Sequence, residues 1–211
     1  MTGLASYFWE RRAEIAGLTA EHALLVLAAT ALAAGIGIPA GVVLTRRPAL
    51  ARVVLGAASI AQTVPSLALL GLLIPLPVLG GIGKSTAIIA LVVYALLPIL
   101  RNTHAGIRSV DPAVLEAADG LGFSPGERRR MVELPLALPV ILAGVRVATV
   151  ATIGLATVAA AIGAGGLGVL IYRGIATVDD RLILAGAVPA AVLAVGADAL
   201  LGWMERRWAS W

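Results

Sequence analysis

Two glycine-rich segments contain residue types that bind nucleotide phosphates, and neither has the required spacing or context. Segment 80–86 (GGIGKST) imitates a phosphate-binding loop, but Val78 stands where that motif needs its first glycine. Segment 163–168 has no strand–helix–strand unit around it, as a dinucleotide site would require. His22 and His104 lie far apart without companion ligands, which favours interfacial side chains over a metal site. The carboxylates form no acid–base pair, so the sequence predicts no hydrolytic site. Any energy that the protein uses is then expected to come from a separate subunit.

A second group of polar residues interrupts long apolar stretches, where polar groups carry a large free-energy cost. Gln62, Thr63 and Ser66 surround Pro65 midway along the second apolar stretch. Tyr94 is the aromatic residue that we place well inside a stretch. A proline within a helix frees a backbone carbonyl that a neighbour must satisfy. The functional interpretation is a kink that lines a solute path, and the alternative is hydrogen bonding between helices.

Two opposite charges lie in further apolar stretches. Arg146 follows Pro139 in the fourth stretch, and Asp198 lies towards the end of the fifth. Either charge alone would be buried without a partner in a medium that solvates ions poorly. We therefore expect Arg146 and Asp198 to form a buried ion pair.

The elements that position these residues follow from composition. The chain has 211 residues, of which 60% are hydrophobic and 13% charged, with a mean hydropathy of +0.97. A soluble domain has about half apolar and about a quarter charged residues, so this is a membrane protein. Each long apolar stretch can cross a hydrocarbon core, which needs about 20 helical residues. We predict one domain, 1–211, with spans at about 22–45, 53–76, 85–106, 135–162 and 182–203, a cytoplasmic loop at 107–134 and an external loop at 163–181.

Basic residues are unevenly divided between the two faces that these spans create. The face of the 107–134 loop has nine, Arg46, Arg47, Arg52, Arg108, Arg128, Arg129, Arg130, Arg206 and Arg207, and the other has five, Arg11, Arg12, Lys84, Arg173 and Arg181. Loops rich in Lys and Arg stay in the cytoplasm, which places the N-terminus outside and the C-terminus inside. The run Arg128–Arg130 is interpreted as a lipid-headgroup and topology anchor. The sequence contains no basic patch interleaved with aromatic residues, so it does not indicate binding to nucleic acid.

The 107–134 loop leads into the chain's most specific spacing. Glu116-Ala117-Ala118 is followed after three residues by Gly122, after nine more by Val132, and after one spacer by Leu134-Pro135. Asp111 before Pro112 suits a helix start, and Gly120 and Gly122 suit its end. Small residues on such a helix allow close approach to another protein, and Glu116 could fix the register by a charge-assisted hydrogen bond. The alternative is a solvated loop helix with no partner.

This order resembles the EAA loop of ABC-importer permeases, with Val132 where isoleucine is commonest. Segments 62–71, 94–103, 162–168 and 173–176 are similar to the membrane subunits of osmoprotectant importers, and the resemblance covers about 21–207. It implies an all-α integral membrane protein with the type I, methionine-importer-like fold of five transmembrane helices and a cytoplasmic EAA coupling loop.

The resemblance also implies partners and residue roles. It implies two cytoplasmic ATPases that bind ATP and Mg²⁺, a second permease subunit (identical or paralogous) and an external substrate-binding protein, so this chain holds no cofactor and is no enzyme. It places the complex in the cytoplasmic (inner) membrane of a bacterium or archaeon. Coupling to the ATPase is implied for the positions that match the motif: Glu116, Ala117, Ala118, Gly122, Val132, Leu134 and Pro135.

The predicted function is ATP-driven import of a quaternary-ammonium osmolyte such as glycine betaine, choline or carnitine. Aromatic residues make up only 4% of the chain, which is poor in the ring faces that cage such cations, so selectivity is expected in the binding protein. Three alternatives stand: import of another small zwitterion such as an amino-acid derivative, a secondary transporter driven by an ion gradient, and a structural membrane protein. The second would need a broken-helix ion site or intramembrane carboxylates, for which Asp198 is the single candidate, and it would leave the EAA spacing unexplained.

Overall fold

The structure is a computed structural model that describes residues 2–76 and 81–209, and within these ranges it contains helices and no strands. The helices are α1 (Thr2–Glu10), α2 (Arg12–Leu44), α3 (Pro48–Thr63), α4 (Ser66–Leu73), α5 (Lys84–Arg108), α6 (Pro112–Gly120), α7 (Pro125–Arg128), α8 (Leu134–Ala159), α9 (Gly168–Thr177) and α10 (Asp180–Ala209). A π-helical turn, Arg129–Glu133, joins α7 to α8, and a 3₁₀ turn, Ala160–Ile162, follows α8. The predicted all-α class is confirmed. Val78 and Gly80 of the glycine-rich segment lie outside the described residues.

Four helical stretches of the described chain are long and apolar enough to cross a membrane. They are Arg12–Leu44, Lys84–Arg108, Pro125–Ile162 and Asp180–Trp208. The pair α3 and α4 makes a fifth if it is counted as one span, although its two halves are bent by 102°.

That bend is sharper than the kink predicted at Pro65. Helix α3 ends at Thr63, Val64 is extended (φ −69°, ψ 127°), and α4 begins at Ser66. Proline disfavours a helical conformation in the residue before it and has no N–H to donate, so the helix cannot continue through this point. The second apolar stretch is therefore a broken helix.

The centre of the bundle is α5, which packs between α2 and α8. Glycines at the crossings allow the close approach: a Cβ on Gly41 would lie 2.7 Å from the Thr103 Cβ, and one on Gly144 would lie 2.5 Å from the Asn102 Cβ. Helices within a membrane associate through such small residues, since the lipid offers no hydrophobic driving force between them. The three helices thus form a tight core, and α10 lies against α8 and α9.

The end of the bundle opposite α6 is closed around one carboxylate. Glu21 accepts a hydrogen bond from the Gly166 N–H (2.8 Å) and pairs with the Lys84 ammonium (2.6 Å). Gly165 has φ +84°, and a Cβ there would lie 2.5 Å from the Glu21 carboxylate. The glycines of segment 163–168 therefore let the chain wrap tightly around Glu21, which is a structural role.

Candidate functional site

Helix α6 has the start and the end that its sequence predicts. The Asp111 carboxylate accepts a hydrogen bond from the Ala113 N–H at 2.9 Å, as an N-cap does. Beyond the helix, the Phe123 N–H donates to the Ala118 carbonyl at 3.2 Å while Gly122 takes φ +82°. That left-handed conformation is favourable for glycine and strained for residues with a side chain.

Most of α6 is exposed, and the surface around it is partly apolar. Among its residues Ala118 is buried, while Glu116 and Ala117 are exposed. Val114, Leu121 and Met131 present 41%, 77% and 62% of their surface. Exposed apolar side chains on and near α6 are available to contact another protein. The end of the bundle that carries α6 therefore has a surface suited to a protein partner.

The EAA segment, residues 116–135, ends in the packed core. Val132 is half-buried in the π-helical turn, and Pro135 is exposed in the first turn of α8. Between them, Leu134 packs against the buried residues Ile107 and Ile141. The segment thus joins an exposed helix at one end to the base of a spanning helix at the other.

Arg128 connects these two parts and was missed by the sequence analysis. Its Nη1 lies 2.6 Å from Asp119 Oδ2, at the end of α6, and its Nε lies 3.1 Å from Glu133 Oε1. Glu133 is buried, with 8% of its surface exposed. Beyond the lipid-headgroup and topology anchor that the sequence predicts for Arg128–Arg130, the structure thus gives Arg128 two carboxylate partners within the chain.

The broken helix is fastened to α5 by reciprocal hydrogen bonds. The Gln62 Nε2 donates to the Tyr94 carbonyl at 2.7 Å, and the Tyr94 hydroxyl donates to the Val64 carbonyl. The structure thus brings Gln62 and Tyr94 together through hydrogen bonds between helices. Thr63 and Pro65 are exposed beside the break, and Ser66 is half-buried.

Arg146 and Asp198 meet across α8 and α10. The Nε and Nη2 of Arg146 lie 2.6 Å and 2.7 Å from the two Asp198 oxygens, a bidentate geometry. The Nη1 also donates to Glu205 at 3.3 Å. The side chains of Arg146, Asp198 and Glu205 are 31%, 45% and 29% exposed, so the cluster is only partly buried.

The two histidines differ from each other. His22 is fully buried, and its Nε2 lies 3.0 Å from the Ile153 carbonyl, so the expectation of an interfacial side chain is wrong there. His104 is half-buried on α5. Within the ranges 2–76 and 81–209, no three of the residues His, Cys, Asp and Glu group as metal ligands would.

Known proteins are similar to this chain in sequence and in architecture. The sequence profile of the family described as "binding-protein-dependent transport system inner membrane component" matches residues 33–210. The osmoprotectant import permease protein OsmW of Salmonella typhimurium is 47% identical over 92% of both chains. The choline transport system permease protein OpuBB of Bacillus subtilis is 47% identical over 90% of this chain and 86% of that one.

A solved structure gives the same fold. A chain of the methionine ABC transporter MetNI, in an inward-facing conformation, superposes with a TM-score of 0.79 at 26% identity, covering 89% of this chain and 93% of that one. The helices described above thus form a type I ABC-importer permease fold, as the resemblance implies. The chain belongs to the family of binding-protein-dependent transport system inner membrane components.

Proposed function

We propose that this chain is the membrane subunit of an ATP-driven importer that carries a quaternary-ammonium osmolyte into the cell. The observation that carries the proposal is α6, an exposed helix with the EAA spacing, capped at Asp111 and joined to the base of α8. The relatives support the substrate class, because their names specify osmoprotectant import, choline transport and carnitine transport. Betaine, choline, carnitine or a similar compound is therefore the proposed solute.

The proposed role of α6 is to seat in a cleft of a cytoplasmic ATPase. Glu116 and Ala117 face the partner, Ala118 packs behind them on the buried side of α6, and the turn at Gly122 allows the chain to leave the cleft. Closure of the ATPase dimer then moves α6, and the movement reaches α8 through Val132, Leu134 and Pro135. ATP and Mg²⁺ belong to that partner, and this chain supplies the surface on which it acts.

Transport then follows from alternating access. Two permease subunits, identical or paralogous, pack about a two-fold axis with the solute path between them. Nucleotide state and docking of the external binding protein bias two helix packings, one open to each side. We assign the broken helix to this path: Thr63, Pro65 and Ser66 face it, while Gln62 and Tyr94 hold the break against α5.

Selectivity belongs to the binding protein in this proposal. A quaternary ammonium group binds in a cage of aromatic faces, and Tyr94 is committed to a backbone hydrogen bond. The path needs only weak contacts, which alanine, glycine, serine and threonine side chains provide. The orientation proposed is α6 in the cytoplasm and α1 outside.

Reconstitution tests the proposal. The chain is placed in proteoliposomes with its ATPase and binding protein, and uptake of glycine betaine, choline, carnitine and an amino acid is measured with and without ATP. We expect uptake of a quaternary-ammonium compound that requires both ATP and the binding protein. Uptake driven by an ion gradient without the ATPase would support a secondary transporter instead, and uptake of the amino acid alone would replace the substrate class.

A further inference from the structure

Arg128 of the EAA segment contacts both α6 and the residue that precedes α8. The proposed function requires these two helices to move together. We infer that Arg128 is a positioning residue that holds α6 against the base of α8, so that movement of α6 is transmitted to the spanning helices. This inference rests on the proposed function, since it concerns how the same surface works.

The backbone alone is a compliant connection between α6 and α7. Leu121 is 77% exposed, Gly122 takes φ +82°, and Ser124 begins a new helix by a capping box with Glu127. A turn that contains an exposed glycine transmits little force by itself. Arg128 crosses this turn: its own residue lies in α7, and its guanidinium reaches back 2.6 Å to Asp119 at the end of α6.

The other arm of Arg128 reaches the base of α8. Its Nε is 3.1 Å from the carboxylate of Glu133, whose side chain is 10% exposed. Glu133 directly precedes Leu134, which packs against the buried residues Ile107 and Ile141. A displacement of Asp119 is therefore felt at the first turn of a spanning helix through one side chain.

Arginine is the side chain whose geometry fits this task. The guanidinium holds Nε and Nη1 in a rigid plane, so that one residue can donate to two carboxylates in different directions. A lysine has a single nitrogen on a flexible stem and cannot hold both contacts in the same way. The pair with Asp119 is half-exposed and adds little to stability, which leaves orientation as its effect.

The neighbouring arginines provide a matched control. In the part of the chain that the structure describes, Arg129 and Arg130 form no ion pair, while Arg128 forms two. Arg129 is half-buried, as Arg128 is, and it has the same charge at the next position. Arg129→Gln therefore removes the same charge from the same loop without touching the bridge.

The test measures ATP hydrolysed per solute imported, in proteoliposomes that contain the complete complex. We expect Arg128→Gln to retain the ATPase on purification and to raise that ratio about tenfold, within the range of couplings between protein sites. Arg128→Lys should give an intermediate ratio, and Arg129→Gln should give the wild-type ratio. A purely structural role would lower hydrolysis and uptake together and leave the ratio unchanged.

Two results would overturn the inference. A wild-type ratio for Arg128→Gln would overturn it alone, while absence of ATP-driven uptake by the unmodified complex would overturn the proposed function as well. If Arg128→Gln fails to accumulate in the membrane, Asp119→Ala decides, because it removes the acceptor of the exposed arm and keeps the Glu133 contact. A smaller rise of the ratio supports the role of Arg128, and an unchanged ratio rejects it.

Discussion

Two clusters in this protein contain the same charges, one arginine between two carboxylates, and differ in their surroundings. Arg128 joins Asp119 and Glu133 in the polar loop, whereas Arg146 joins Asp198 and Glu205 within spanning helices. The exposed pair of Arg128 with Asp119 adds little to stability, so we expect the loop cluster to act mainly on orientation. In the membrane an unpaired charge is strongly unfavourable, so pairing there is a condition for a stable bundle. We therefore propose that the same three charges serve coupling in the loop and assembly among the spanning helices.

The largest effect is expected from Arg146→Gln, because it removes the cation that pairs with two partly buried carboxylates of α10. We predict loss of most of the membrane-integrated protein, and with it all transport, measured by quantifying the chain in washed membranes. Neutralising Asp198 as well should restore part of the loss, since a single negative charge then remains. Wild-type amounts of the Arg146→Gln variant would show that the membrane cluster is dispensable and would remove the contrast with the loop cluster.

Next in size is Glu116→Lys, a change confined to the exposed face of α6. We predict that uptake falls to background while the chain still inserts normally, because the reversed charge disrupts only the surface offered to the ATPase. Uptake in proteoliposomes and the amount of chain in membranes measure the two effects separately. Glu10→Lys, the same charge change on an exposed residue of α1, is the control and should retain uptake. Normal transport by the Glu116→Lys variant would contradict the role of α6.

A change at Gly122 tests the geometry of the same loop without altering its charge. Its φ of +82° is unfavourable for any β-branched residue, so Gly122→Val should distort the turn after α6. We expect uptake to be strongly reduced with insertion preserved. Gly120→Val is the matched control, because Gly120 lies at the end of α6 and is absent from the left-handed glycines. Equal effects of the two substitutions would mean that the turn at Gly122 has no special part.

The smallest effect is expected at the broken helix. Tyr94→Phe removes one donor to the Val64 carbonyl and keeps the ring, which should lower the free energy of unfolding by about 1 kcal/mol. Thermal unfolding of the purified chain in detergent measures this change. Phe8→Tyr on α1 is the control, because it exchanges the same two side chains away from the break. An unchanged unfolding temperature for Tyr94→Phe would indicate that Gln62 alone fastens the break.

Much of this architecture is predictable because local rules act without competition. Asp111 before Pro112 and the left-handed Gly122 define α6 by capping chemistry, and hydropathy defines the spans. The meeting of Arg146 and Asp198 follows from the cost of isolated charges in hydrocarbon. Glu205 was also predictable as a member of this cluster, since it lies seven residues after Asp198, about two helical turns along the same face.

Other features depend on tertiary structure that no local rule supplies. Arg128 and Glu133 are five residues apart, a spacing that an α-helix does not place on one side; a π-helical turn at Arg129–Glu133 brings them together. Pro65 predicts that a break exists. The angle of 102° at the break depends on how α3 and α4 each pack against α5. The burial of His22 depends in the same way on α8, which supplies the Ile153 carbonyl.

The central claim is that α6 contacts the ATPase from the cytoplasmic side, and cross-linking tests it most directly. The chain contains no cysteine, so Ala117→Cys introduces one thiol on the exposed face of α6, and Ala5→Cys introduces one at the opposite end as control. In membranes that contain the complete complex, we predict that a short bifunctional reagent joins Cys at position 117, and not at position 5, to the ATPase. Labelling of position 117 by a membrane-impermeant reagent added outside intact cells, with no cross-link to the ATPase, would contradict the account.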